Sequence, residues 1–294
     1  MKVTDKSYQA TGHTCFFCDF SPPRAGDIAL ADQADIDADF ISVAYNPGRA
    51  VRVNSAMLAA AIKGRGGRGD GRPGRDVVFT MATRDMNLLA LQSQLLGAQI
   101  LGLENLVVVQ GDPFSERDLA RTKPVDDVSP TGLIAAIRAL NQGLDFRESQ
   151  LRMPTDFCVG ATADLGRGLE REAKLAHRKV LAGADFLMTQ PIFDVAEAEG
   201  FARAYHSATG ENLDTPVFHG LQILEQDGVI FSSVPQEVRR QLEEGRSGVE
   251  IALELYRLFQ AGGLHNIYLV PPIRRGGARN YAAAREFLTQ AKKL

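Results

Sequence analysis

Residues 107–112, with the sequence V-V-V-Q-G-D, decide the fold, and Pro113 follows them. Three consecutive β-branched residues predict a buried strand, and the Gly, Asp and Pro that come after them end it abruptly. The strand leaves a carboxylate at its carboxyl end, so Asp112 is the first candidate for chemistry. The alternative interpretation is that Asp112 only shapes the turn before the proline.

A helix is predicted immediately before this strand. Residues 87–102 (N-L-L-A-L-Q-S-Q-L-L-G-A-Q-I-L-G) carry apolar side chains at helical spacing and end on a glycine, as helices often do. Helix, short link and buried strand form half of a βαβ unit, and this layout recurs along the chain. Further strands are predicted at residues 15–20, 39–43, 77–81, 157–161, 185–189, 216–219 and 266–270. Further helices are predicted at residues 27–37, 55–63, 130–141, 169–182, 195–206, 235–260 with a break near 245–248, and 278–292.

Eight strands that alternate with helices predict an α/β fold, a single (β/α)8 TIM barrel over residues 1–294. A doubly wound open sheet is the alternative, but no G-x-G-x-x-G phosphate loop follows the first strand. In a barrel, the carboxyl ends of all strands share one face. We therefore expect the residues at the strand exits to converge on one pocket, which the polar residues 113–129 would cover. These exit residues are Asp19, Tyr45, Asn46, Thr83, Asp112, Thr162, Gln190 and His219.

The charge of the chain argues against a nucleic-acid partner. Lys and Arg number 33 against 36 acidic residues, so no global basic field is present. Residues 64–75 (G-R-G-G-R-G-D-G-R-P-G-R) alternate arginine with glycine and raise an RNA-binding hypothesis. They contain no aromatic residue for base stacking, so a solvated, flexible loop is the favoured interpretation.

The remaining composition indicates a cytoplasmic protein that neither spans a membrane nor binds a metal ion. No apolar run approaches the roughly 18 residues that span a bilayer, and the N-terminus lacks the apolar segment of a signal peptide. The chain has three cysteines. Cys15 and Cys18 form a lone C-x-x-C with no second pair to complete a zinc site, so we interpret them as reduced residues of the first strand.

Several segments resemble the catalytic barrel of methylenetetrahydrofolate reductase and follow its order. They are T-R-D-M-N-L-L-A-L-Q-S-Q-L-L-G-A at 83–98, G-L-E-N-L-V-V-V-Q-G-D-P at 102–113 and R-K-V-L-A-G-A-D-F-L-M-T-Q-P-I-F-D at 178–194. D-F-S-P-P-R at 19–24 and N-I-Y-L-V-P-P at 266–272 are weaker matches. The resemblance implies a catalytic barrel without a regulatory domain.

The resemblance also implies an activity. Enzymes of this family reduce 5,10-methylenetetrahydrofolate to 5-methyltetrahydrofolate, with NADH or NADPH as the hydride source and FAD as the carrier. The expected ligand is therefore a reduced folate, in the one-carbon metabolism that supplies methionine biosynthesis. We also expect a homo-oligomer.

By the same resemblance, individual residues acquire roles. Asp112, as a buried carboxylate, and Gln190 would hold the pterin, because a carboxylate can accept two parallel N–H bonds from a 2-amino-pyrimidinone edge. Gln222 would also contact the substrate. Asp19 stands where the family usually has a glutamate that acts as general acid. The FAD contacts would be Tyr45, Thr83, Gln110, Gly111, Asp112, Thr162, Arg178 and Lys179, with the last two on the phosphates; a solvated charged helix face is the alternative for that pair.

Other positions depart from the family pattern. Thr80, Gln110, Thr162, Gly166 and Leu175 stand where the family commonly has histidine, arginine, tyrosine, histidine and a polar flavin ligand. Two further hypotheses therefore stay open. One is a folate-binding one-carbon enzyme of the same barrel that works without flavin. The other is a catalytically inactive barrel that serves as a binding protein.

Overall fold

Eight parallel strands pair in sequence order and close into a barrel, in which β1 also pairs with β8. The computed structural model describes residues 1–67, 74–229, 233–275 and 277–294. This topology confirms the predicted (β/α)8 fold. The strands are β1 Cys15–Phe20, β2 Phe40–Val43, β3 Asp76–Ala82, β4 Asn105–Val109, β5 Cys158–Ala163, β6 Phe186–Pro191, β7 Val217–Gln222 and β8 Asn266–Val270.

Helices connect the strands around the outside of the barrel. The predicted helices at 55–63 and 130–141 have the observed bounds, whereas the helix predicted at 27–37 is a 3-10 helix, Ile28–Ala34. Of the predicted loop at 64–75, Gly64–Gly67 form a short 3-10 helix, and residues 68–73 lie outside the described residues. The α-helices are α1 Val3–Lys6, α2 Tyr8–Thr11, α3 Ser55–Lys63, α4 Leu88–Ile100, α5 Glu116–Leu119, α6 Pro130–Asn141, α7 Leu169–Leu181, α8 Val195–Thr209, α9 Gln236–Glu243, α10 Gly248–Ala261 and α11 Tyr281–Ala291. Within the described ranges, no helix is long and apolar enough to cross a membrane.

The unit around β4 forms as its sequence predicts. The side chain of Asn87 accepts a hydrogen bond from the backbone N–H of Ala90 and so begins α4. Gly102 follows the helix with a φ of +72°, a conformation that glycine adopts without steric cost. At the beginning of β4, the side chain of Asn105 accepts a hydrogen bond from the N–H of Val3 and donates one to the carbonyl of Met1. The N-terminal segment is thereby tied to the amino end of the barrel.

Aromatic side chains fill the lower part of the barrel interior. The rings of Phe17 and Phe218 stack with centroids 4.0 Å apart, and Phe40 and Phe186 pack against Phe17 at 5.1 and 5.8 Å. A Cβ atom on Gly160 would lie 2.3 Å from the ring of Phe186, so only glycine leaves room for this packing. These rings occupy the amino-terminal part of the barrel interior.

The seventh strand is longer than predicted. The strand predicted at 216–219 stops before Gly220, yet β7 continues to Gln222, and the N–H of Ile192 donates to the carbonyl of Gly220. A Cβ atom at Gly220 would lie 2.6 Å from the backbone carbonyl carbon of Gln190 and the backbone nitrogen of Pro191. This glycine therefore permits a close approach of two strands and does not mark a turn.

We expect Gly220→Ala to lower the free energy of unfolding by about 3 kcal/mol, since the new methyl group meets backbone that cannot rotate away. Gly97→Ala is the matched control. Its Cβ atom would meet nothing within 4 Å inside α4, so we expect a gain of about 0.5–1 kcal/mol. Urea unfolding of both variants measures the difference. Equal stability of the two variants would contradict the close approach at Gly220.

Candidate functional site

A cavity of about 1250 Å³ opens at the carboxyl ends of the strands. Its wall confirms most of the predicted convergence, since seven of the eight strands contribute residues to it. Residues 113–129 form part of the wall through Pro113, Phe114 and Leu119, as predicted for a covering loop. The predicted exit residues in the wall are Asp19, Tyr45, Asn46, Asp112, Thr162 and Gln190, and Thr83 and His219 are absent from it.

Asp112 is exposed to the cavity, whereas the sequence predicted a buried carboxylate. The reason is that β4 ends at Val109, so residues 110 and 111 carry the carboxylate beyond the end of the strand. Gly111 makes this turn with a φ of +94°. Among the described residues, no side chain or backbone group hydrogen-bonds the Asp112 carboxylate. Its charge is therefore free to meet a ligand.

Gln190 presents a second free polar group to the same cavity. It lies inside β6, which continues to Pro191, and its side chain is exposed. Its backbone carbonyl accepts a hydrogen bond from Thr189 Oγ1 at 2.8 Å, which fixes the backbone. Within the described ranges, the side-chain amide has no hydrogen-bond partner. The cavity thus combines one carboxylate and one amide that the protein itself does not use.

Asp19 has a different environment, because both of its oxygens accept hydrogen bonds. Tyr268 OH donates to Oδ1 at 3.0 Å, and Arg279 Nε donates to Oδ2 at 2.8 Å. The side chains of Arg279 and Asp19 are only 4% and 6% exposed, so the ion pair is buried. Burial, and then the charge of Asp19, raises the pKa of Tyr268 well above its usual value, so its hydroxyl keeps its proton.

Arg279 and Tyr268 were not among the predicted site residues. Tyr268 lies in β8, which was predicted as a strand and as a weaker match to the family, and Arg279 lies 260 residues from Asp19 in the chain. The family match of the segment around Tyr268 was the one available signal. Nothing in the sequence around Arg279 distinguishes it from the other arginines of the chain.

The two cations predicted on α7, Arg178 and Lys179, have different environments and different roles. Arg178 is exposed in the cavity wall, and among the described residues it has no ion-pair or hydrogen-bond partner. Lys179 is 6% exposed, and its Nζ donates to the backbone carbonyl of Thr162 at 2.6 Å. Burial lowers the pKa of Lys179, although Glu172 opposes this effect. Arg178 is therefore the member of the pair that is available to an anionic ligand, and Lys179 supports the exit of β5.

The sequence comparison decides the family. A profile of the methylenetetrahydrofolate reductase family matches residues 5–244. The chain belongs to the methylenetetrahydrofolate reductase family. This result confirms the resemblance that the strand-exit motifs indicate, and the match includes Asp19, Asp112, Gln190 and Gln222.

A structure comparison agrees with the fold of this family. The chain is similar to an uncharacterized protein from Clostridium thermocellum that binds two copies of 5-methyl-5,6,7,8-tetrahydrofolic acid. The TM-score is 0.66, the sequence identity is 11%, and the similarity covers 99% of each chain. At this identity, the likeness shows a shared fold.

The other residues with expected methylenetetrahydrofolate reductase roles lie as follows. Tyr45 is in the cavity wall, and burial followed by the neighbouring Asp85 raises its pKa to about 12, so it stays protonated. Thr83 is buried outside the wall, with its N–H donated to the carbonyl of Val109 at 3.0 Å. Gln222 is also buried outside the wall, where its Nε2 donates to the carbonyl of Val229 at 2.8 Å. Gln110, Gly111 and Thr162 line the cavity.

The cavity is large enough for the flavin that the family resemblance implies, and one cation in its wall suits a diphosphate. Its volume exceeds the roughly 300–1,000 Å³ of most ligand pockets, and Arg178, which no described residue pairs, supplies the cation for a diphosphate.

In the described part of the chain, no group of three His, Cys, Asp or Glu residues could hold a metal ion. Cys15 and Cys18 are buried in β1, and burial raises the pKa of both thiols, which keeps them protonated.

His219 was expected in the main cavity, and this prediction was wrong. Because β7 continues to Gln222, His219 is a mid-strand residue that faces a separate pocket of about 250 Å³, lined also by Tyr8, Leu264 and His265. Its Nδ1 atom is buried without a hydrogen-bond partner among the described residues. Burial lowers the pKa of His219 to about 4.

This lowered pKa predicts a loss of stability in acid. Below the unfolded pKa of 6.5 the unfolded chain binds a proton that folded His219 does not, until the pH reaches about 4. The free energy of unfolding falls between pH 7 and pH 4.5, and we expect this fall to be about 2 kcal/mol smaller in His219→Gln than in the wild type. His13→Gln, at an exposed histidine, is the control. An identical pH dependence of unfolding in wild type and His219→Gln would contradict the assignment.

Proposed function

We propose that this protein is an oxidoreductase of one-carbon metabolism that binds a reduced folate in the cavity at the carboxyl ends of its strands. Its reaction would be the reduction of 5,10-methylenetetrahydrofolate to 5-methyltetrahydrofolate, with NADH or NADPH as hydride source and FAD as carrier. One observation carries the proposal. Asp112 and Gln190 present polar side chains, which no described residue hydrogen-bonds, to one cavity of a barrel in the methylenetetrahydrofolate reductase family.

The chemistry of a pterin suits these two side chains. Its 2-amino-pyrimidinone edge carries parallel N–H donors that a carboxylate accepts in a bidentate pair, and bonds to a charged partner are about 1.5–3 kcal/mol each. An amide both donates and accepts, so Gln190 matches the ring positions that alternate donor and acceptor. The folate ligands of the Clostridium thermocellum protein, which has the same fold, support this choice of ligand.

The cavity offers positions for the flavin beside the folate. When bound, FAD would take a hydride from NADH or NADPH and pass it to the folate. Arg178 would hold the diphosphate, and Tyr45, Gln110, Gly111 and Thr162 would contact the rest of the cofactor from the cavity wall. Lys179 would contribute mainly by holding Thr162, and Thr83 by holding Val109.

Asp19 is the proposed general acid that protonates the folate nitrogen when the methylene bridge opens. Its two oxygens are not equivalent. Oδ2 faces the guanidinium of Arg279, which only donates, whereas Oδ1 faces the hydroxyl of Tyr268, which both donates and accepts. Oδ1 is therefore the oxygen that can carry the proton. That proton would pass to the oxygen of the Tyr268 hydroxyl, while this hydroxyl, which lies in the cavity wall, gives its own proton to the folate nitrogen.

A folate enzyme of the same barrel without flavin is the second candidate. The observation that favours it is the bond from Lys179 to Thr162, because this bond leaves Arg178 with most of the diphosphate charge. Absorbance of the purified protein in the flavin bands separates the two candidates. Flavin bands support the first, and a colourless protein that still binds reduced folate supports the second.

Asp112→Asn tests the folate site directly. We expect the affinity for 5-methyltetrahydrofolate, measured by isothermal titration calorimetry, to fall about tenfold or more, because an amide cannot accept two parallel N–H bonds. Asp5→Asn, an exposed position of α1 at the opposite end of the barrel, is the control and should bind as wild type does. Unchanged affinity in Asp112→Asn would remove the pterin contact from Asp112.

Asp19→Asn tests the acid. We expect the reduction of folate to slow about a hundredfold while the reduction of the cofactor by the nicotinamide hardly changes, since only the folate step needs the proton. Stopped-flow measurement separates the two half-reactions. Asp19→Glu, which restores the acid that the family usually has, should retain activity. Equal losses in both half-reactions of Asp19→Asn, or no loss in either, would take the role away from Asp19.

A further inference from the structure

The arginine that follows β3 occupies an unusual position in the cavity wall. Arg84 is only 6% exposed, although it lies at the end of a strand where most polar residues meet solvent. Its Nε and Nη2 atoms donate to the two carboxylate oxygens of Asp85 at 2.6 and 2.8 Å. This bidentate pair compensates the buried charge and fixes the plane of the guanidinium.

The remaining contacts of Arg84 go to the loop that carries Asp112. Its Nη1 donates to the backbone carbonyl of Asp112, and its guanidinium lies 4.0 Å from the ring centroid of Phe114. Its backbone N–H donates to the carbonyl of Gln110 at 3.0 Å, and its carbonyl accepts from the N–H of Val125 at 2.7 Å. One residue therefore holds both ends of the loop between residues 110 and 125.

The turn at Gly111 is built around the same arginine. A Cβ atom at Gly111 would lie 3.3 Å from Arg84 Cβ, and the φ of Gly111 is +94°. A side chain here would be strained by the backbone conformation and crowded by the arginine. The position of Arg84 and the direction in which Asp112 leaves β4 are consequently coupled.

A tyrosine extends this contact to a third strand. Tyr45, after β2, is a neighbour of Asp85, whose charge helps to raise the tyrosine's pKa. Burial opposes the ionisation of Asp85, but the neighbouring Arg84 and Tyr45 outweigh it and lower its pKa. The chain of contacts from Tyr45 through Asp85 and Arg84 to the Asp112 carbonyl joins the exits of β2, β3 and β4.

Arg84 binds the backbone carbonyl of Asp112 and not its carboxylate, and this choice affects ligand binding. A guanidinium next to a carboxylate would ordinarily pair with it, and such a pair would occupy the acceptors that a ligand needs. Here the donors of Arg84 are used by Asp85 and by the Asp112 carbonyl, so the carboxylate is held in place without being neutralised by a direct bond.

We propose that Arg84 is the positioning residue of the folate site: it fixes the backbone at Asp112 and the loop after it, and thereby aims a free carboxylate into the cavity. The effect on the loop follows from the contacts of Arg84 alone. The effect on ligand affinity rests on the function proposed above.

Hydrogen–deuterium exchange of the ligand-free protein tests the first effect. In Arg84→Lys and Arg84→Met we expect amides of residues 110–125 to exchange about tenfold faster or more, while amides of β5 stay protected. Lysine keeps a charge and loses the planar fork, so it tests geometry in a variant that is expected to fold. Arg240→Lys is the matched control, since Arg240 also makes a forked pair, with Glu237, but on exposed α9. Unchanged exchange at residues 110–125 in both Arg84 variants would overturn the proposal.

A double-mutant cycle tests the second effect. If Arg84 acts through Asp112, Arg84→Lys should weaken 5-methyltetrahydrofolate binding about tenfold in wild type and hardly at all in the Asp112→Asn background. Equal losses in the two backgrounds would show that Arg84 does not act through Asp112, and would overturn the positioning role. Failure of the wild-type protein to bind reduced folate would instead refute the proposed function, and the exchange measurement would still decide the effect of Arg84 on the loop.

Discussion

The structure depends on the packing of phenylalanine rings inside the closed barrel. Phe17, Phe40, Phe186 and Phe218 occupy the lower interior, and Gly160 leaves the space that the ring of Phe186 needs. Because these side chains fill the amino-terminal part of the barrel interior, the large cavity lies at the carboxyl end. All eight strands are parallel, so every strand exit meets at that end. Core packing thus determines where chemistry can take place.

Within that cavity, the protein divides its polar groups into two kinds. Asp19, Lys179 and Arg84 are buried and bound to partners, and each of them supports an element of the wall. Asp112, Gln190 and Arg178 are exposed, and the described residues leave them unpaired. The first kind gives rigidity, and the second kind gives the site its capacity to bind. Preorganisation of this kind lowers the entropy that a ligand must lose on binding.

Much of the fold was predictable from sequence because it is encoded locally. The β-branched run of β4 and the capped helix α4 each need only neighbouring residues, and α3 and α6 have their predicted bounds. Gly220 misled the prediction, since a glycine that allows close strand approach looks the same in sequence as one that ends a strand. That error moved His219 into the wrong pocket. Strand exits identified Asp112 and Gln190. Arg279 depends on a contact between distant segments. Arg84 lies in the T-R-D segment after β3, but its contact with the Asp112 carbonyl joins two separate strand exits, so its role was not predicted.

The proposed function depends on the binding of a reduced folate's pterin by Asp112 and Gln190. A crystal structure of the protein with 5-methyltetrahydrofolate would show these contacts. We expect the pterin ring in the cavity at the carboxyl ends of the strands, with its 2-amino edge within about 3 Å of the Asp112 carboxylate and the Gln190 amide on the same ring. A folate bound elsewhere, or one whose pterin contacts neither residue, would show that these side chains do not form the folate site.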